Sequence, residues 1–462
     1  AAHSTKEALS SYINSELDAW ADANGGKFPE DVIVGMRYGD EMFLHTGFVN
    51  DPSASIPLYD YSESGIQEYR KLNRHDEYPR MWAWPEVYGT NAYRDWMYSY
   101  HRSTAELLRI VREVIHNRGL NIAVFRNITR FNPATFATLY NDHDGSGNQL
   151  LVEQLDIVCP DPYPVAATML SQAKHPDREP KPGYIETIIP LEGSYFSGLA
   201  HRLGNAFMPW MQGHSYVNDL QHPSPEQIKK MFDQTIAFNP DGIMWLAYSR
   251  NGTFPKTRPD SWKEAEKVHR RVHGQVREDP ARPLAVLRFY AERSLVEPEE
   301  NQLQDRILTE RLLTSLTVDL KVRYDIFEIY RREDVDFESL KGYDAVLLYV
   351  MDVEDLDLKQ LAQCGPKVIL ICCHESSLAQ NRDYTGVRSL EKIEGHGPFQ
   401  VNISGHCVHA KTVYKARLDS TTKTLGRCDG QPCAWGKGNI RFVSFLPSSY
   451  DEDAIFLKSI LR

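Results

Sequence analysis

The sequence predicts two α/β domains in tandem, a parallel β/α assembly of the barrel type over residues 1–279 and a smaller α/β domain over residues 280–462. Three observations predict it. Short apolar runs that end in polar residues alternate with amphipathic helices, the pattern of parallel β/α units. Near residue 280 the charged, proline-bearing "REDPARP" interrupts that pattern, and a new apolar series opens with "LAVLRFY". A chain of 462 residues also exceeds what one ordinary core organises.

Taken in order, residues 4–20 read as a helix. Ser4 and Glu7 have capping-box spacing, Leu9, Ile13, Leu17 and Trp20 share one face, and Gly25 and Gly26 stop it. "VIVGM" (32–36) reads as the first strand. A long aromatic-rich connection follows, and loops of that length carry function or short elements of their own. Residues 93–118 form a second helix, with Trp96, Tyr100, Leu107, Val111 and Val114 or Ile115 at three- and four-residue spacing and Gly119 at its end. "NIAVFRN" (121–127), "LDIVCPDPYP" (155–164), "NAFMPWMQGHSY" (205–216) and "DGIMWLAYSR" (241–250) are further strands, the last preceded by a helix that Ser224, Pro225 and Gln227 open. Beyond the linker, a helix over 298–318 and strands in "RYDIFEIY", "YDAVLLYV", "KVILICC" and "NIRFVSFLP" build the second domain, of the open α/β kind.

Composition narrows the function. No apolar run approaches the roughly 18–20 residues of a membrane helix, so no membrane is expected as partner. The N-terminus has neither the basic start nor the apolar core of a signal peptide. The expected chain is soluble, and periplasmic or secreted if a leader precedes this sequence. A net charge of −11 opposes binding to a phosphate backbone, which excludes nucleic acid. Of seven cysteines, Cys428 and Cys433 in "RCDGQPC" make either a small disulfide loop or two ordinary thiols, and without paired C-x-x-C knuckles no zinc site is expected. No metal or other cofactor is called for.

The chemistry-bearing residues stand at strand ends. In parallel β/α barrels the carboxyl ends of the strands build the active site. Here those ends carry Tyr38, Asp40 and Glu41, then Arg126 and Asn127, Asp161 and Tyr163, Trp210, Gln212 and His214, and finally Tyr248 and Arg250. A cleft at strand ends explains why an apolar strand should run into two acids, since a buried strand centre would not tolerate them. Where the strand loosens, like charges side by side raise one pKa and keep a proton available for a leaving group. The plainer alternative is that Asp40 and Glu41 cap the next turn or pair with Arg37. Flat rings stack on sugar faces while carboxylates and amides bind hydroxyls, so a carbohydrate is the expected partner. Trp84 and Trp210 are the candidate walls, whereas Trp96 and Trp245 are better explained as packing.

With these motifs in view, the chain resembles the clan of barrel glycoside hydrolases that includes the bacterial β-galactosidases carrying an amidotransferase-like trimerisation domain. The resemblance rests on "VGMRYGDE", "WAWPEVYGTNAYRDWMYSYHRSTAELLRIVREVI", "DIVCPDPYP" and "GIMWLAYSR". It implies a TIM-type barrel, glycosidic bond hydrolysis with Glu41 as general acid/base and Asp40 as its partner, and a flavodoxin- or amidotransferase-like second domain that serves assembly into a homo-oligomer, a trimer.

The sequence departs from that pattern in two ways. The family's nucleophile is a glutamate at the end of the next-to-last strand, and "FMPWMQGHS" offers Gln212 there. Three explanations stand. Glu192 in "TIIPLEG" is the nucleophile if that segment is a strand rather than a helix. "YGDE" resembles the "GGDE" of β-hexosaminidases, in which the substrate's own acetamido group attacks. Or the site binds sugar without catalysis. The second departure is the strand count: measured against an eight-stranded barrel, three β/α units are missing from the start, so the expectation is either a piece of a longer product or an atypical open barrel whose edges something else covers. An amidotransferase is a weaker alternative, since "CCHES" lacks the strained turn of such nucleophiles.

Overall fold

The parallel strands of the first unit lie side by side in chain order. A computed structural model describes residues 2–26, 35–37, 67, 91–120, 123–128, 148–160, 184–213, 223–246, 248–249, 252–272, 284–289, 312–329, 335–349, 356–371, 377–393, 395 and 397–462. Over these the chain is a mixed α/β protein with two units, Ala1–Arg277 and Glu278–Arg462.

In the first unit β1 (Gly35–Arg37), β2 (Ala123–Ile128), β3 (Ile157–Pro160) and β4 (Ala206–Phe207) form one sheet in the order β1-β2-β3-β4, with every pairing parallel. The fourth strand is shorter than its apolar run because Pro209 has no N–H to give a ladder. After that break the chain resumes as β5 (Trp210–Gln212), which pairs in parallel with β6 (Met244–Leu246). Backbone bonds bridge the two segments: the Met208 N–H donates to the Val158 carbonyl at 2.9 Å, and the Met244 N–H to the Pro209 carbonyl at 3.1 Å. The order therefore stays sequential from β1 to β6. β7 (Tyr248–Ser249) and β8 (Gly252–Thr253) make a small antiparallel pair.

Helices α1 (Ala2–Ala23), α2 (Asn91–Asn117), α3 (Asn148–Val152), α4 (Tyr184–Leu203), α5 (Pro225–Ala237), α6 (Phe254–Thr257) and α7 (Pro259–Val272) accompany these strands. In α2 the expected Val111 and Ile115 are buried, together with Ala105 and Leu108, whereas Leu107 is half-buried and the side chains of Trp96 and Tyr100 lie outside the described residues. In α1 Ile13 and Leu17 are buried, but Trp20 is not. The reason is local: Lys6 pairs with Glu106 and Asp18 with Arg118, so the two helices run alongside each other and α2 has ended by the level of Trp20. Ser4 also lies inside α1, which begins at Ala2, and so is not its cap. α5 starts as expected. The Gln227 N–H donates to Ser224 Oγ at 3.2 Å, the Ser224 N–H donates to Gln227 Oε1 at 2.8 Å, and Pro225 follows the cap. Ile189, Ile228, Met231, Phe232, Ala265 and Val268 from α4, α5 and α7 form one core with Met211 of β5, and Trp245 of β6 packs against it.

The second unit is built on a nine-stranded sheet, β10-β9-β11-β12-β19-β18-β17-β14-β15. β9 (Leu284–Phe289), β10 (Tyr324–Ile329), β11 (Ala345–Tyr349), β12 (Lys367–Ile371) and β19 (Ile440–Val443) are parallel. The order reverses at β9, as in doubly wound sheets. The other half is antiparallel: β14 (Phe399–Ile403), β15 (His406–Ala410), β17 (Lys423–Cys428) and β18 (Gln431–Lys437). β13 (Val387–Lys392) and β16 (Tyr414–Leu418) pair separately. Within the expected helix at 298–318, residues 312–318 are helical, and the earlier part lies outside the described residues. "RCDGQPC" is a hairpin. Asp429 and Gly430, both at positive φ, turn β17 into β18, and Cys428 and Cys433 are free, buried thiols. Burial pushes the Cys433 thiol up to about 12, with Cys428 adding to the shift.

Candidate functional site

Adjacent parallel strands bring their carboxyl ends to one side of a sheet. The register aligns Arg37 with Phe125, Arg126 with Val158 and Asn127 with Cys159. Arg126 and Asn127 thus stand near the end of β2, between the end of β1, which leads into Tyr38, Asp40 and Glu41, and the end of β3, which leads into Asp161 and Tyr163. Tyr248 opens β7. Tyr38, Asp40, Glu41, Trp84, Asp161, Tyr163, His214 and Arg250 lie outside the described residues.

Trp210 and Gln212 are described in detail. Parallel pairing sets Trp210 against Met244, Met211 against Trp245 and Gln212 against Leu246. Met211 and Trp245 are packed among α4, α5 and α7, and the Thr235 hydroxyl lies 3.3 Å from Met211 Sδ. Side chains alternate along a strand, so Trp210 and Gln212 point to the face away from these helices. Gln212 is fully buried there. The Trp210 ring is half-buried, and its Nε1–H is shielded from solvent with no acceptor among the described residues. A buried donor left in this state costs about 1–3 kcal/mol, so it calls for an explanation. The sequence indicates an aromatic at this strand end but not an unsatisfied N–H, because burial and partners are tertiary facts.

Trp245 has the opposite fate. Its Nε1–H donates to His269 Nε2 on α7, and the two ring centroids are 5.7 Å apart. It belongs to the helix-facing core, as its place in the apolar pattern predicts. Glu192 is completely buried inside α4 and does not stand at a strand end, which removes the geometry that a strand-borne nucleophile there would need. Among the described residues no group of His, Cys, Asp and Glu side chains is arranged to hold a metal ion. None of the described helices is long and apolar enough to cross a membrane.

The ordered parallel strands of the first unit and the largely parallel sheet of the second make a two-unit mixed α/β fold. No family model and no curated protein matches the sequence. Among solved structures, the fold is similar to a β-galactosidase from the psychrophilic Marinomonas ef1, with 12% identity, a TM-score of 0.55, and coverage of 87% of this chain and 68% of that one. A polyextremophilic β-galactosidase from the Antarctic haloarchaeon Halorubrum lacusprofundi matches at 15% identity and a TM-score of 0.58, over 93% of this chain and 69% of its own. Gan42B, a GH42 β-galactosidase, matches at 12% identity and a TM-score of 0.53, over 86% and 63%. The chain thus spans about two thirds of the length of these proteins, and somewhat less of Gan42B. At such identities the likeness is one of fold. The resemblance to β-galactosidases holds at that level.

Proposed function

We propose that the chain is a glycoside hydrolase acting on a β-galactoside-like or N-acetylhexosaminide substrate, with a barrel-type first unit and an amidotransferase-like second unit that serves assembly. What supports this reading is the sequentially ordered parallel sheet of the first unit, whose strands run in the sequence into polar residues, in a fold similar to that of β-galactosidase structures. Glu41 donates a proton to the leaving oxygen, and Asp40 orients the substrate or stabilises developing positive charge. Tyr38, Trp84, Arg126, Asn127, Asp161, Tyr163, Trp210, Gln212, His214, Tyr248 and Arg250 bind the sugar.

Gln212 bears directly on the mechanism. An amide forms no glycosyl ester, so double displacement would need another carboxyl group about 5–5.5 Å from Glu41. Attack by a substrate acetamido group avoids that need and favours N-acetylhexosaminides within this reading. Gln212 equally supports a second reading, a non-catalytic saccharide-binding protein. Kinetics of Glu41→Gln decide between them. Loss of the proton donor should slow hydrolysis of alkyl glycosides by about 10²–10⁴-fold while sparing activated aryl glycosides. Equal activity of variant and parent on both substrates removes Glu41 from this role. Calorimetric binding without turnover by the parent favours the second reading.

A further inference from the structure

We infer that the indole N–H of Trp210 is a specificity-determining donor to the bound saccharide, reserved for an uncharged oxygen of the sugar. This rests on the glycoside-binding reading above. The Trp210 Nε1–H is shielded from solvent, and among the described residues no group accepts its hydrogen. Three other described indoles donate within the fold: Trp245 to His269, Trp262 to Glu266 Oε1 at 2.9 Å, and Trp435 to the Thr385 carbonyl at 3.1 Å. The indole on β5 differs from these three: its strand neighbour Met211 is sealed among the helices, so that Trp210 and the buried amide of Gln212 share the opposite face. A ring that served only for stacking would gain nothing from a shielded, unused N–H. Both groups are neutral, which suits a hydroxyl or acetamido oxygen and gives a site built for that acceptor a large penalty against analogues without it.

The test replaces Trp210 with 3-benzothienylalanine, which keeps the ring shape and exchanges the N–H for sulfur. Methyl β-galactopyranoside and methyl N-acetyl-β-glucosaminide are titrated into parent and variant by calorimetry. The Trp210 indole ¹H–¹⁵N resonance, assigned by its absence in Trp210→Phe, is followed in the parent. The expected result is a shifted resonance and about tenfold weaker binding by the sulfur variant, whose near-ultraviolet circular dichroism matches the parent. If a glycoside binds while the resonance stays in place and the sulfur variant binds equally well, the N–H is a solvated structural donor. The inference is then overturned and the glycoside reading stands. If neither glycoside binds the parent at millimolar concentration, both are lost.

Discussion

At the scale of single residues, Gln212 holds the most information. Its amide is fully buried on the face away from the helices, where a neutral side chain avoids the penalty of desolvating a charge. Gln212→Glu would place an ionisable group in the same surroundings, and burial raises a carboxyl pKa. A folded pKa above the unfolded value means that stability is lost as pH rises through the range between them. Urea denaturation should therefore show a deficit for Gln212→Glu that is small near pH 4 and grows towards pH 8. A constant deficit, or none, would mean that a cation or a set of donors already awaits a carboxylate there, which would revive an enzymic nucleophile. The sequence shows that a glutamine stands at this strand end. It does not show which face it takes, because that depends on Met211 and Trp245 being drawn into the helix core.

At the scale of elements, α5 was the most legible because its signals are local. Ser224, Pro225 and Gln227 fix its start through bonds among near neighbours. Ser224→Ala should cost about 1 kcal/mol in chemical denaturation. The α1–α2 pair adds a pH test. Hydrogen bonds from Arg109 and Lys6 hold the Glu106 carboxyl at about 2, below its ordinary 4.5. Its contribution is complete above pH 4.5 and fades as pH falls towards 2. Between those limits the melting temperature of the parent should fall more steeply than that of Glu106→Gln, by a modest margin because such partly exposed pairs are worth little. Parallel profiles would remove the pair from the stability of this helix layer. The antiparallel strands were harder to read. β13 exposes Arg388, Ser389, Glu391 and Lys392, so its alternation carries little apolar signal, although Ser404–Gly405 and Asp429–Gly430 mark hairpin turns. Sequence spacing alone made Cys428 and Cys433 ambiguous, and strand pairing resolves them as thiols.

At the scale of the whole molecule, the parallel halves of both units follow from apolar runs in β2, β3, β9, β11 and β12 that are long enough to stand out. Which strands become neighbours was less accessible, since sequential order in one unit and reversal at β9 in the other arise from similar local patterns. The division near residue 280 has a physical basis on its C-terminal side. Ala285, Leu287, Val346, Leu348, Val368, Leu370, Trp435 and Phe442 form a core drawn entirely from the second unit. Trp435 and Phe442 stack with centroids 5.6 Å apart, and the Trp435 N–H is satisfied by Thr385 within the same unit. A unit that closes its own core should fold alone. Expressed by itself, the segment Glu278–Arg462 should melt in one cooperative transition with near-ultraviolet signal from its single tryptophan, Trp435. A broad melt without that signal would mean that its core depends on the first unit, and the two would then have to be treated as one folding body.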